Sequence, residues 1–201
     1  MGEHYFTRKP TARRRPLEFT AVLRGRSLSF HTDSAVFSRA TVDAGTRLLI
    51  EAVEIGPHTS LLDLGCGYGA IGLAVAAAVD GATIVMTDVN HRAVALARRN
   101  ATANGLRADV REGPLYEPLA ALVFDHIAAN PPIRAGKSVV HGIVEGAPDH
   151  LREGGSLWLV ARTKQGAPSL QEKMCEVFGN AEIVARGGGF RVLRSRRAGN
   201  P

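Results

Sequence analysis

The chain has 201 residues, 45% of them hydrophobic, and a formal net charge of +6 at pH 7. That length and apolar content suit one domain with its own core and exclude a disordered or fibrous chain. The two cysteines, Cys66 and Cys175, stand far apart without metal-ligand spacing, which excludes a disulfide scaffold and predicts no metal site.

In chain order, "MGEHYFTRKP" lacks the apolar stretch of a secretory signal, so a reducing, cytoplasmic location is expected. Residues 1–17 are Arg-rich and interrupted by Pro10 and Pro16, which predicts a basic flexible arm. Residues 18–57 read as a small β/α extension. Phe19 to Val22 and Ser27 to Phe30 flank Arg24-Gly25 as two strands around a turn, and Val42 to Val53 has helical spacing. From 58 to 201 apolar strands alternate with longer helical segments: "SLLDLGC" then Ala70 to Val79, "ATIVMTD" then His91 to Asn104, "ADVREG", "FDHIAAN" then Ser138 to Leu151, and "SLWLVA" then Ser169 to Phe178. This rhythm predicts an α/β fold, a Rossmann-like doubly wound sheet of seven strands. "AEIVARGGGFRVLRSRR" has only glycines between its two strands and should close as a C-terminal antiparallel hairpin. No apolar run approaches the roughly 20 residues that cross a bilayer, so no membrane partner is expected. Arginines crowd both ends, which suits either a polyanionic partner or solubilising tails.

Three stretches fall at strand ends, where open parallel sheets bind ligands. In "LLDLGCGYGAIG", Gly65, Gly67 and Gly69 follow a strand and open a helix, a turn that serves dinucleotides and sulfonium nucleosides alike. Asp63, two residues before the first glycine, would repel a pyrophosphate and welcome a cation, which favours S-adenosyl-L-methionine. In "MTDVN", Asp88 ends the next strand, where an acid can accept from both ribose hydroxyls or cap the following helix, as Asn90 also can. In "AANPPIRAGK", Asn130 and the carbonyl of Pro131 offer two acceptors to one exocyclic NH2 group, with Pro131 and Pro132 fixing the turn.

"DLGCGYG", "TDVN" and "NPPI" in this order resemble the class I S-adenosylmethionine-dependent methyltransferases of the Asn-Pro-Pro subgroup, which methylate amine nitrogens. More closely, "FHTDSAVFSRATVDAGTRLLIE", "NPPIRAGK", "TKQGA" and "GGGFRVLRS" are similar to the small-subunit rRNA guanine-N2 methyltransferases, in single-domain form, from about His4 to Arg197. The resemblance implies that residues 58–201 are the methyltransferase domain and that Gly65, Cys66 and Gly67 line the methionine part of the cofactor. Asp88, Val89 and Asn90 would meet the ribose, and Thr46, near Asp43, the amino-acid moiety, although Asp43 is more simply a helix cap. Asn130, Pro131 and Pro132 would hold the target amine beside the cofactor. Pro114 stands where the family often has an acid, which leaves adenine to backbone groups around Gly113 and Leu115. Ile133 replaces the usual stacking aromatic, a platform that Phe37 can supply unless it packs in the core. Lys137, Lys164 and the terminal arginines would contact phosphate of 16S rRNA or a small-subunit particle. An amine methyltransferase of adenine, protein or a small molecule, a nicotinamide oxidoreductase and a non-catalytic RNA-binding module stay open as alternatives.

Overall fold

A computed structural model describes residues 13, 15–34, 36–131 and 137–199. Most of the expected arm, and Pro132 and Ile133, lie outside the described residues.

The first pair of strands, β1 (Leu17–Leu23) and β2 (Arg26–Thr32), forms an antiparallel hairpin. Its turn needs positive φ at both central residues, and Gly25 (74°) and Arg24 (48°) supply it. Arg24 is an unusual choice there, and its hydrogen bonds explain it. Its N–H donates to Glu51 Oε1, and its Nη1 donates to the carbonyls of Ile50 and Val53 at 2.8 Å, which satisfies the C-terminal carbonyls of α1 (Ala44–Ala52).

Seven further strands form one sheet: β3 (Ser60–Leu64), β4 (Thr83–Asp88), β5 (Asp109–Glu112), β6 (Phe124–Ala129), β7 (Leu151–Arg162), β8 (Glu182–Gly187) and β9 (Phe190–Arg196), in the order β5-β4-β3-β6-β7-β9-β8. The first five are parallel, and β9 runs antiparallel to both β7 and β8. Helices α2 (Ala70–Ala78) and α3 (His91–Ala103) cover one face with α1, while α4 (Lys137–His150) and α5 (Ala167–Phe178) cover the other. This is the doubly wound seven-stranded sheet with a C-terminal hairpin that the alternating pattern predicts. Strand order reverses at β3 and β6, which places the carboxyl ends of these strands at the ligand position of such sheets.

Strand β7 begins five residues earlier than the apolar run Ser156 to Ala161 suggests. Leu151 pairs with Phe124 before the register shifts, and the shift is absorbed at Gly154 (φ 75°). Gly154 N–H donates to Arg197 O and Arg197 N–H to Gly155 O, so the bulged segment is paired on its far side.

The N-terminal hairpin is not an appendage. Ala21, Leu23, Leu28 and Phe30 share one apolar cluster with α1, α2 and α3, and Phe19, Phe30 and Tyr68 pack with ring centroids 5.4 to 5.9 Å apart. Two asparagines one helical turn apart then imitate a strand along β2. Asn100 accepts from His31 N–H (2.7 Å) and donates to His31 O (3.0 Å) and Tyr68 O (2.9 Å), and Asn104 does the same for Ser29 N–H and O. The free edge of β2 is thereby satisfied without a third strand.

Candidate functional site

At the end of β3 the chain turns through Gly65 (φ 73°) and Gly67 (φ 57°), a region of backbone space that disfavours a side chain. Gly65 N–H and Cys66 N–H both donate to Thr87 O, which ties the turn to β4. Asp88 fixes the rest. Its Oδ2 accepts from Gly67 N–H and its Oδ1 from Asn90 N–H, both at 2.8 Å, and its own carbonyl accepts from Gly113 N–H at 3.0 Å. The ends of β3, β4 and β5 are thus held together around one carboxylate, whose pKa burial raises to about 6.

These strand ends wall a cavity of about 330 Å³. Of the residues expected at the site, Thr46, Gly65, Cys66, Gly67, Asp88, Val89, Gly113, Pro114, Leu115, Asn130 and Phe37 line it. Phe37 is 39% exposed at the cavity wall, so core packing is not its place. Cys66 lies in the wall as a thiol whose pKa burial pushes up, well away from thiolate reactivity.

Other expectations are displaced. Asp63 is wholly buried and absent from the cavity wall; its Oδ2 accepts from Gly72 N–H in the first turn of α2 at 2.9 Å. Strand alternation explains this, since Leu64 takes the position facing the cavity. Burial, reinforced by the charge of Asp88, raises the Asp63 carboxyl to about 7. Asn90 is fully buried and caps α3, its Oδ1 accepting from Arg92 N–H. Pro131 is buried and outside the wall, and Lys137 and Lys164 are exposed but do not reach it. Two of the C-terminal arginines, Arg194 and Arg197, are structural rather than free for phosphate. Arg194 pairs with Glu54 (2.7 Å) and Glu182 (2.6 Å) over the Trp158 ring, and Arg197 donates to Leu151 O. Pro132 and Ile133 cannot be placed, being outside the described residues.

Asn130 sits where β6 ends. Its Nδ2 donates to Thr46 Oγ1 at 2.8 Å and lies 3.4 Å from Asp43 Oδ2, while Asp43 also caps α1 by accepting from Gly45 and Thr46 N–H. With its amide nitrogen anchored to α1, Asn130 keeps its carbonyl oxygen without a partner among the described residues. Sequence reasoning missed the apolar wall: Tyr68 in the glycine turn, and Val139 and Ile143 on α4. The four-residue spacing of the last two, just after the Asn-Pro-Pro stretch, is a signal that could have found them. Among the described residues no group of three His, Cys, Asp or Glu could hold a metal, and no helix is long and apolar enough to cross a membrane.

Residues 27–194 match the model of the methyltransferase small domain. Over 201 residues the chain is 41% identical to YbxB, an uncharacterized protein of Bacillus subtilis, covering 98% of this chain and all of that one. It is 34% identical over 175 residues to ribosomal RNA small subunit methyltransferase C of Klebsiella pneumoniae, covering 84% of this chain and 49% of the relative. Its fold matches that of a T. Thermophilus 16S rRNA N2 methyltransferase solved with AdoMet and guanosine, with TM-score 0.84 and 29% identity over 94% of this chain and 52% of that one. The chain therefore spans about half the length of the rRNA methyltransferases it matches.

The cavity suits S-adenosyl-L-methionine on its own geometry. A Cβ built on Gly65 or Gly67 meets nothing within 4 Å, so the bare backbone leaves a cradle that side chains would fill. Beneath it Asp63 Oδ1 is buried with no hydrogen-bond partner among the described residues, so any charge on this carboxyl acts on a cationic ligand through space and not by contact.

Proposed function

The chain belongs to the methyltransferase small-domain family of S-adenosylmethionine-dependent enzymes, and from that premise we propose that it methylates the exocyclic N2 amine of a guanine in 16S rRNA. The observation that carries this is the anchoring of Asn130. Its amide nitrogen is held by Thr46, so the carbonyl oxygen is fixed as an acceptor at the cavity wall. Together with the Pro131 carbonyl it would take both donors of a planar NH2 group and favour the pyramidal, nucleophilic form of the nitrogen. A preorganised acceptor pair of this kind acts mainly in the transition state.

When bound, S-adenosyl-L-methionine supplies an electrophilic methyl group. In this reading Gly65, Cys66 and Gly67 cradle its methionine part with Thr46 near the amino acid. Each oxygen of Asp88 already takes one N–H and keeps lone pairs for a ribose hydroxyl. Val89, Gly113, Pro114 and Leu115 enclose the adenine end, and Phe37 offers a face to the target base. A methylated amine is acidic, so solvent can take its proton and no dedicated base is needed. His126 is unsuited to that work: it accepts from Trp158 Nε1–H, and burial lowers its pKa. The substrate is reached in the cytoplasm, as rRNA or as a small-subunit particle.

The test is mass spectrometry of rRNA nucleosides from a strain lacking the gene. Loss of one 2-methylguanosine, restored by the wild-type chain but not by Asn130→Ala, is expected. An unchanged rRNA profile would overturn the assignment in favour of another amine substrate.

A further inference from the structure

The carboxyl end of the sheet carries unneutralised cations beyond the cavity. Ala129 of β6 stands level with Leu159 of β7, which pairs with Leu193 of β9 and through it with Ile183 of β8. Two residues beyond the end of β6 comes Pro131, level by continued register with Ala161, which pairs with Arg191, which pairs in turn with Arg186. With strands about 4.8 Å apart, the two arginines lie roughly 10 and 14 Å from the end of β6.

Like charges placed directly opposite in an antiparallel pair are destabilising. Yet among the described residues neither Arg186 nor Arg191 has a carboxylate partner. Arg162 ends β7 at the same end of the sheet but on the face opposite Arg191, exposed, its guanidinium 4.8 Å above the Phe190 ring and without an ion pair among the described residues. Lys164 is exposed in the turn that follows. Deeper in β9 the chain does neutralise an arginine: Arg194 has two glutamate partners. The Arg186–Arg191 pair thus stands unneutralised at the end of the sheet that carries the cavity, where an added polyanion would relieve its repulsion. The Phe190 ring also backs the exposed Arg162 guanidinium at 4.8 Å without taking any of its N–H donors in an ion pair, which leaves it suited to phosphate.

We propose that Arg162, Lys164, Arg186 and Arg191 form a phosphate track, along which RNA strand flanking the target nucleotide runs from the end of β6 across β7, β9 and β8. This rests on the RNA reading above. The test is binding of a 16S rRNA fragment to the full chain across a salt series, by wild type and by the triple variant Arg162→Gln, Arg186→Gln, Arg191→Gln. Three lost phosphate contacts should lower the salt slope by about 2 for single-stranded RNA, which amounts to about a hundredfold weaker binding at 0.1 M salt if affinities converge at 1 M. The triple lysine variant should keep the wild-type slope, and Arg196→Gln, at the opposite end of the sheet, should leave it unchanged. Unaltered binding of S-adenosylhomocysteine would show that the variants fold. A glutamine variant with the wild-type slope would overturn the track while leaving the RNA reading intact; a wild-type chain without RNA affinity at any salt would overturn both.

Discussion

Asp63 and Asp88 lie on neighbouring strands in surroundings that disfavour charge, and burial raises their carboxyls to about 7 and about 6. An ordinary aspartate titrates near 4, so the folded chain holds these protons more tightly than the unfolded one. Their contribution to stability is full below about pH 4 and is lost as pH rises through 6 to 7. Ligand binding should run the other way. A ribose needs an ionised acceptor at Asp88, and a cation favours an ionised Asp63. Calorimetry should therefore find S-adenosylmethionine affinity at least about tenfold weaker at pH 5 than at pH 8, with protons released on binding in between. Affinity flat across that range would detach both carboxyls from the cofactor. The sequence shows both acids and their place at strand ends, but it does not show which side of β3 Asp63 takes. A residue of a strand buried on both faces is apolar or paired whichever way it points, so Leu62, Asp63 and Leu64 give no alternation to read.

At the level of elements, apolar periodicity finds each strand and helix because those patterns are local. What escapes it depends on partners far away in the chain. Arg24 at a turn position looks like a weak hairpin signal until its bonds to the end of α1 are seen. Asn100 and Asn104 read as polar residues on a helix surface, yet Asn100 is wholly buried and bonded to β2, 69 residues away. Arg194 reads as part of a basic tail and is a clamp between the segment after α1, β8 and β9. The asparagine pairing yields a prediction. Asn100→Ala leaves His31 N–H, His31 O and Tyr68 O without their partner, which should cost about 3 kcal/mol. Asn104→Ala, at a more accessible end, should cost about 1 kcal/mol. Chemical denaturation that shows less than about 1 kcal/mol for Asn100→Ala would mean that apolar packing alone docks the hairpin.

For the whole molecule, the pocket is assembled from distant parts of the chain: the segment after β2 gives Phe37, α1 gives Thr46, three strand ends give the glycine turn, Asp88 and Gly113, and α4 gives Val139 and Ile143. A ligand that touches all of them binds the folded state and has no counterpart site in the unfolded chain, so its affinity becomes stability. At a concentration one hundred times its dissociation constant, S-adenosylhomocysteine should add about 2.7 kcal/mol. For a chain of this size each kcal/mol moves the midpoint by about 2–4 °C, so the melting temperature should rise by roughly 5–10 °C. NAD should not produce that shift, because its pyrophosphate would lie near the charge of Asp88 in the wall and of Asp63 buried behind it, and no cation among the described residues that line the cavity offsets them. Differential scanning calorimetry of the chain alone decides the matter. A shift with S-adenosylhomocysteine and none with NAD fits a cofactor site complete within these residues, although they span only half the length of the rRNA methyltransferases they match. Equal shifts would return the glycine turn to general nucleotide binding, and no shift with either would mean that the strand ends and α1 do not close around the cofactor as one site.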